Sequence, residues 1–309
     1  MINNVEITHP GKIFWPKEKY TKKDLFDYYK NISNFILPYL KNRPQSLNRC
    51  PDGINGECFF QKDIDYDLPN WLKTVKIFSE SRNKDIHYLV CKDIDSLLYM
   101  INLGCIEINP WNSRIVKIDY PDYAVLDLDP LNVKFKDVVK VAITIKNVLD
   151  DIGINSFCKT SGATGLHIYI PLGAKYTFDQ VLDFTKIIAN IIQLKIPELT
   201  STERLPSKRE EKVYIDCYQN RIGQTMAAPY CIRPIEGAPV STPLSWEELN
   251  EKLSPTNFTI KNIFKRLDKI GDLWKGVLGT GINIEKCIDK ISKKYDLNSF
   301  HNPNNKIIR

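Results

Sequence analysis

The sequence predicts an α+β protein, with mixed β-sheets at its centre and helices flanking them. Two observations carry this reading. Short apolar runs of strand type, such as Tyr123-Ala124-Val125-Leu126 and Val213-Tyr214-Ile215, recur between longer segments of helical periodicity. These strands are joined in two ways, some by helix-length segments and some by tight turns. A purely parallel sheet would need a long crossover at every step.

The elements follow in order. Val5-Glu6-Ile7-Thr8 is an extended piece, followed by Pro10-Gly11-Lys12 and Phe14-Trp15-Pro16. Thr21 is an N-cap with Asp24 in the first turn; behind it Leu25, Tyr28, Tyr29, Ile32, Phe35, Ile36 and Tyr39 recur at helical spacing. After the Pro51-Asp52-Gly53 turn comes the apolar stretch Cys58-Phe59-Phe60. Ser96-Leu97-Leu98-Tyr99-Met100 reads as a helix and Cys105-Ile106-Glu107-Ile108 as a strand. From Tyr123 the order is strand, helix (136–149), strand (155–159), turn, strand (166–170), helix (177–194) and, past a charged stretch at 207–212, the strand that ends in Asp216. Beyond Trp246 the pattern is helical and amphipathic, with a basic face around Lys261, Lys265 and Arg266 that reads as solvated surface. With no repeat and no low-complexity linker, the 309 residues form one domain, or two packed lobes at 1–115 and 116–309.

Hydrophobic residues at 43% and charged residues at 26% describe an ordinary globular chain, not a disordered one. A formal charge of +6 suits a nucleic-acid partner without establishing one. No apolar stretch reaches membrane-spanning length and the N-terminus has no signal-peptide pattern, so the expected location is cytoplasmic, away from any membrane. The eight cysteines include no Cys-x-x-Cys and no zinc spacing. Several lie in apolar runs, and the expectation is buried, reduced thiols.

Asp127-Leu128-Asp129 is the most informative motif. Alternate side chains of a strand share a face, so the two aspartates point together while Leu128 packs behind them. Asp216 ends a second strand. Carboxylates crowded at 4 Å repel by about 4 kcal/mol per pair at an effective dielectric near 20. A hard divalent cation, magnesium or manganese, relieves that repulsion. Taken alone, the pair also fits a strand end that merely faces water. Lys159-Thr160-Ser161-Gly162-Ala163-Thr164-Gly165-Leu166-His167 connects two strands with glycines, hydroxyls and a lysine, which can offer N–H groups and charge to a phosphate. It is no Walker A loop, and an ordinary hairpin is the bland alternative. His167 opens an apolar strand, where an unpaired imidazole is costly.

These motifs occur in the order found in archaeo-eukaryotic primase-type polymerases. The chain resembles the polymerase domain of bacterial and archaeal DNA ligase D over nearly its whole length. Further matching segments are His9-Pro10-Gly11-Lys12 with Trp15-Pro16, Arg43-Pro44, Arg49, Phe59-Phe60-Gln61-Lys62, Ile106-Glu107-Ile108-Asn109-Pro110-Trp111 with Ser113-Arg114, and Ala228-Pro229-Tyr230 with Arg233.

The resemblance implies a primase-like fold and a template-directed nucleotidyltransferase that fills gaps and extends 3′ ends in non-homologous end joining, preferring ribonucleotides. Asp127, Asp129 and Asp216 would be catalytic and would hold two ions, Mn2+ or Mg2+. Lys159, Ser161, His167 and Arg233 would bind the NTP or dNTP. His9, Lys12 and Lys22 would grip the 5′-phosphate of gapped or broken DNA. Phe59, Phe60 and Lys62 would meet the template, base stacking on an aromatic ring being worth about 1–3 kcal/mol. Stripped of the resemblance, Phe59 and Phe60 read as core, although adjacent strand positions leave at least one exposed.

Three positions depart from the family pattern: Asn109 for a frequent histidine, Gly11 for a common aspartate, and Asn48 for a basic residue. No ligase or nuclease segment is present, which implies a free-standing polymerase served by a separate ligase and a Ku-type protein. The alternatives are a primase-polymerase that starts chains in replication, a non-catalytic DNA-end binding module, and a two-metal nuclease. The three aspartates argue against a pure binder, and the triphosphate set against a nuclease. Dependence on a 5′-phosphate separates end joining from priming.

Overall fold

In the computed structural model, which describes residues 5–295, the chain enters through a small ribbon of β1 (Ile13–Trp15) and β2 (Tyr20–Thr21). The ribbon leads straight into α1 (Lys22–Leu40). The Thr21 hydroxyl accepts the Asp24 N–H and the Asp24 carboxylate accepts the Thr21 N–H, so the capping pattern read from sequence is a complete capping box. Leu25, Tyr29, Ile32 and Ile36 are fully buried, as their spacing requires.

The first sheet is built on β3 (Arg43–Arg49), which is buried almost throughout. It pairs antiparallel with β4 (Phe59–Gln61), with β6 (Lys84–Cys91), itself the return arm of a hairpin begun by β5 (Lys73–Ser79), and, past α2 (Ile94–Asn102), with β7 (Cys105–Pro110). The β5–β6 hairpin left no sequence signal because β5 is an edge strand with half its side chains in solvent.

The second sheet has six strands in the order β11-β12-β8-β10-β9-β13. In chain order its parts are β8 (Tyr123–Pro130), α3 (Phe135–Asp151), β9 (Phe157–Thr160), β10 (Leu166–Pro171), α4 (Phe178–Lys195), β11 (Thr200–Ser201), β12 (Val213–Asp216) and β13 (Pro243–Leu244). Only the β11–β12 pair is parallel. The mixed α+β architecture expected from the sequence is therefore observed. Two short helices, α5 (Ile263–Ile270) and α6 (Ile284–Lys294), close the described chain.

The period of two along β8 positions the chemistry. Ala124, Leu126 and Leu128 join the core beneath α3 and α4. Tyr123 and Val125 join the other core, which also contains α1 and the first sheet. Asp127 and Asp129 continue that second face beyond the point where apolar packing ends. Residues from Met226 to Val240 and Trp274 pack into the α1 core as well, so the later part of the chain folds back over the earlier part. Arg43, fully buried, ties the sheets together: it is paired with Asp122 and donates to the carbonyls of Trp111 and Asn112.

One expectation is corrected. Cys50 and Cys58 form a disulfide, and six other cysteines are free and buried. The Pro51-Asp52-Gly53 turn sends the chain back from β3 to β4, which brings together two cysteines whose eight-residue separation matches no familiar spacing.

Candidate active site

β12 and β10 flank β8, and the antiparallel register puts Asp216 and His167 on either side of Asp127, with Tyr214 beside Asp129. Suitable oxygens of Asp127, Asp129 and Asp216 lie within 4.8 Å of one another. Burial pushes the Asp127 carboxyl well above the ordinary range, and Asp129 and Asp216 add to the rise. Asp129 is raised by burial and by Asp216, against the pull of Arg209 and Arg233. Asp127 Oδ1 lies 3.3 Å from His167 Nε2 but makes no hydrogen bond. A buried, mutually repelling, incompletely bonded set of three carboxylates suits hard divalent cations. These residues could hold metal ions.

The glycines of the β9–β10 turn are needed for close approach. A Cβ on Gly165 would sit 2.1 Å from the Leu128 carbonyl oxygen, and Gly162 (φ +77) packs against the Arg233 side chain and the Ser241 backbone. Ser161 Oγ accepts the N–H groups of Ala163 and Gly165, which fixes the loop. Arg233 donates to the Ser161 carbonyl and forms a 3.0 Å ion pair with buried Glu107 from β7. Its guanidinium is thereby held between the two sheets, facing the aspartates.

These groups line one cleft of about 460 Å³. Of the residues singled out from sequence, Asp127, Asp129, Ser161, His167, Arg233, Phe60 and Lys62 line it, and Asp216 adjoins it through the carboxylate cluster. Phe60 is 60% exposed at its rim. Five fall outside: Lys159, Phe59 and the N-terminal His9, Lys12 and Lys22. Lys159 is completely buried behind the turn, bonded to Ser241 Oγ, and desolvation pulls its ammonium down to about 7. Phe59 is also exposed, with its ring beside the Arg49 guanidinium, and does not line the cleft. Burial lowers the His167 pKa well below its usual value, with Lys159 and Arg233 contributing.

The N-terminal cations form a second cluster. Lys22 N–H donates to the Lys12 carbonyl and Lys23 N–H to that of Pro10, which lays the 9–12 turn against the start of α1. Lys22 is only 6% exposed; its ammonium donates to Thr8 Oγ1 at 3.0 Å and is destabilised by burial, Lys12 and Arg49. Lys12 is exposed and paired with Asp52. His9 is exposed, in a left-handed backbone conformation (φ 50). The same ribbon docks on the loop after Arg233: Trp15 Nε1 donates to the Ile235 carbonyl, and Glu18 accepts the Gly237 N–H.

Several residues near the aspartates went unnoticed in the sequence. Gln219 Nε2 lies 3.4 Å from both Asp127 Oδ2 and Asp216 Oδ2. Arg209 faces Asp129 electrostatically and stacks 3.6 Å over the Tyr214 ring. Ser46, also unnoticed, lies opposite Asn109, the position already marked as a departure from the family pattern, in the β3–β7 register, and both line the cleft from the first sheet. Only the cross-strand register reveals the pairing of Ser46 with Asn109, and Gln219 lies in a turn without periodicity.

Carboxylates gathered for cations, facing an arginine and hydroxyls suited to phosphate, with an exposed aromatic at the rim, are the equipment of a nucleotidyltransferase of primase-polymerase type. The profile of the family described as "LigD, primase-polymerase domain" matches residues 21–274, and the chain belongs to that family. It is 35% identical over 270 residues to the bifunctional non-homologous end joining protein LigD of Bacillus subtilis, and 32% identical over 282 residues to the multifunctional LigD of Pseudomonas aeruginosa. Those alignments take in 86% and 89% of this chain but 43% and 33% of the relatives' lengths. The polymerase domain of Mycobacterium tuberculosis ligase D, solved in complex with DNA, superposes with a TM-score of 0.84 at 27% identity, covering 90% of this chain and 99% of that one. Among the described residues no helix is long and apolar enough to cross a membrane.

Proposed function

We propose that the chain is a template-directed polymerase of double-strand break repair, filling gaps and extending 3′ ends. The observation that carries this reading is the three-aspartate cluster set across one cleft from Arg233 and Ser161. The 3′-hydroxyl attacks the α-phosphorus of the nucleotide, a new P–O bond forms, the α–β phosphoanhydride bond breaks, and pyrophosphate departs while the hydroxyl proton passes to solvent. Asp127, Asp129 and Asp216 hold two divalent ions, manganese or magnesium, which supply Lewis-acid charge neutralisation. Arg233 offers a forked donor to the triphosphate, with Ser161 and His167 beside it. Phe60 stacks on a template base and Lys62 supports the template strand. Lys159 acts through the loop it underlies, not by direct contact. His9, Lys12 and Lys22 receive the 5′-phosphate across the gap. Ribonucleotides are the preferred substrates, a DNA ligase activity and a Ku-type protein are the partners, and the setting is the cytoplasm.

The test is extension of a one-nucleotide gapped duplex carrying each templating base in turn, with ribo- and deoxyribonucleotides and with Mn2+ or Mg2+. The reading predicts addition of the complementary nucleotide, faster with the ribonucleotide. Addition that ignores the template, or degradation of the 3′ end, would overturn it.

A further inference from the structure

The cleft has one wall for the triphosphate, and the chemistry fixes where the nucleophile must come from. Ser161 and Arg233 stand on the β9–β10 side of β8, whereas Asp216 and β12 stand on the opposite side. In-line displacement requires the attacking hydroxyl to lie opposite the departing pyrophosphate. The extended strand therefore approaches over β12 and the turn that follows it.

That turn is built as a rigid platform. Tyr218 N–H donates to Asp216 Oδ1 at 2.7 Å. The Asn220 side chain brackets Val125 of β8, accepting its N–H at 2.8 Å and donating to its carbonyl at 2.7 Å. Over the Tyr218 ring lie two guanidinium groups, Arg221 at 4.5 Å and Arg204 at 5.4 Å from the centroid. Both arginines are exposed, and neither has an ion-pair partner among the described residues. Arg43, Arg114, Arg233 and Arg266 each meet a carboxylate. A guanidinium held by its face on an aromatic ring keeps its N–H edge free for phosphate oxygens. Leu205 and Ile222, 56% and 54% exposed, follow the two arginines in sequence and offer apolar surface suited to sugar faces.

We propose that Arg204 and Arg221, mounted on Tyr218, bind the phosphodiester backbone of the strand whose 3′ end is extended. The proposal rests on the polymerase reading and assigns that reading a strand path. The two arginines neutralise consecutive phosphates behind the 3′ terminus, and Tyr218 holds them in register with Asp216.

The experiment compares two fluorescein-labelled DNAs by anisotropy over a range of salt: a gapped duplex with its upstream strand, and the same template with only the phosphorylated downstream strand. The Arg204→Ala/Arg221→Ala double variant should bind the first DNA on the order of tenfold more weakly, with the slope of log K against log salt reduced by about 2, since each phosphate contact contributes roughly 0.9. Binding to the second DNA should match the native chain, and Arg204→Lys/Arg221→Lys should recover most of the slope. Equal losses on both DNAs, or none, would overturn the proposal. So would a raised nucleotide KM with unchanged DNA affinity, which would move the arginines to the nucleotide side. A native chain that binds neither DNA would instead refute the polymerase reading, and the strand path with it.

Discussion

Lys22 is an ammonium placed where folding alone would not put one. It is 6% exposed, its bond to Thr8 Oγ1 is to a neutral group, and its charged neighbours Lys12 and Arg49 repel it. The depressed proton affinity means that the charged form is penalised in the folded chain. That penalty is present wherever the folded chain holds the ammonium protonated, and is lost as pH rises through the lowered folded pKa. Each like-charged neighbour costs roughly 1 kcal/mol at half-buried separations. Replacing Lys22 by Met keeps the aliphatic stem, removes the charge, and should stabilise the chain by about 1–2 kcal/mol. For a protein somewhat larger than 250 residues this is a Tm rise of about 2–4 °C. The opposite effect is expected on DNA. Two charge-assisted bonds to a terminal phosphate contribute about 1.5–3 kcal/mol each at most, reduced by loss of the exposed Lys12–Asp52 pair, worth up to about 1 kcal/mol. With the ordering of two long side chains also subtracted, a net preference of about 2 kcal/mol corresponds to roughly 30-fold tighter binding of a 5′-phosphorylated gap than a 5′-hydroxyl gap. Anisotropy titrations on both DNAs and a thermal melt check both halves. Lys22→Met should be more stable and should discriminate less than about threefold. A destabilised variant would make Lys22 a structural residue. Equal affinity of the native chain for both gaps would remove the phosphate site and favour a priming enzyme.

Further outcomes follow from the cleft. Arg233→Ala and His167→Ala should raise the nucleotide KM and lower kcat while leaving DNA affinity within about twofold; collapse of DNA binding with unchanged nucleotide dependence would place both residues in the nucleic-acid channel. Gln219→Leu removes the amide shared by Asp127 and Asp216 and should weaken Mn2+ binding by about fivefold, the equivalent of one hydrogen bond, at unchanged Tm; an unaltered Mn2+ titration, followed by electron paramagnetic resonance, would show that the contact positions nothing. Lys159 has a folded pKa of about 7 against an unfolded 10.5, so between these values the unfolded chain binds more protons and stability rises with pH. Lys159→Met should therefore stabilise the chain at pH 7, by at most a few kcal/mol, and the gain should shrink by pH 9.5; equal urea-unfolding differences at the two pH values would mean that Lys159 is not a suppressed cation.

Which parts of this were legible in the sequence follows from the range of the forces involved. The DxD strand could be read because period-two alternation is local: Leu128 is fully buried while Asp127 and Asp129 face the cleft. Thr21 and Asp24 could be read as a cap because both bonds close within three residues. The depth of Lys159 could not, because it depends on Ser241 and β13, about eighty residues away. The Cys50–Cys58 bond was hidden by a turn whose direction no spacing encodes. The platform of Tyr218, Arg204 and Arg221 joins the 202–212 segment to the turn after Asp216, and neither piece has an apolar period of its own. Asp127 shows the limit of a correct reading: its face was legible, but its near-complete burial was not, because β10 and β12 enclose it from both sides.

The measurement that bears most directly on the central claim is nucleotide addition by Asp127→Ala and Asp129→Ala variants on the gapped duplex. Losing one carboxylate should remove several kcal/mol of transition-state charge stabilisation, a fall of about 1,000-fold or more in single-turnover rate. The fold should survive, because substitution relieves repulsion among the three aspartates in the metal-free chain; the Tm should be unchanged or slightly raised. A folded Asp127→Ala chain that extends the 3′ end at the native rate would contradict the account.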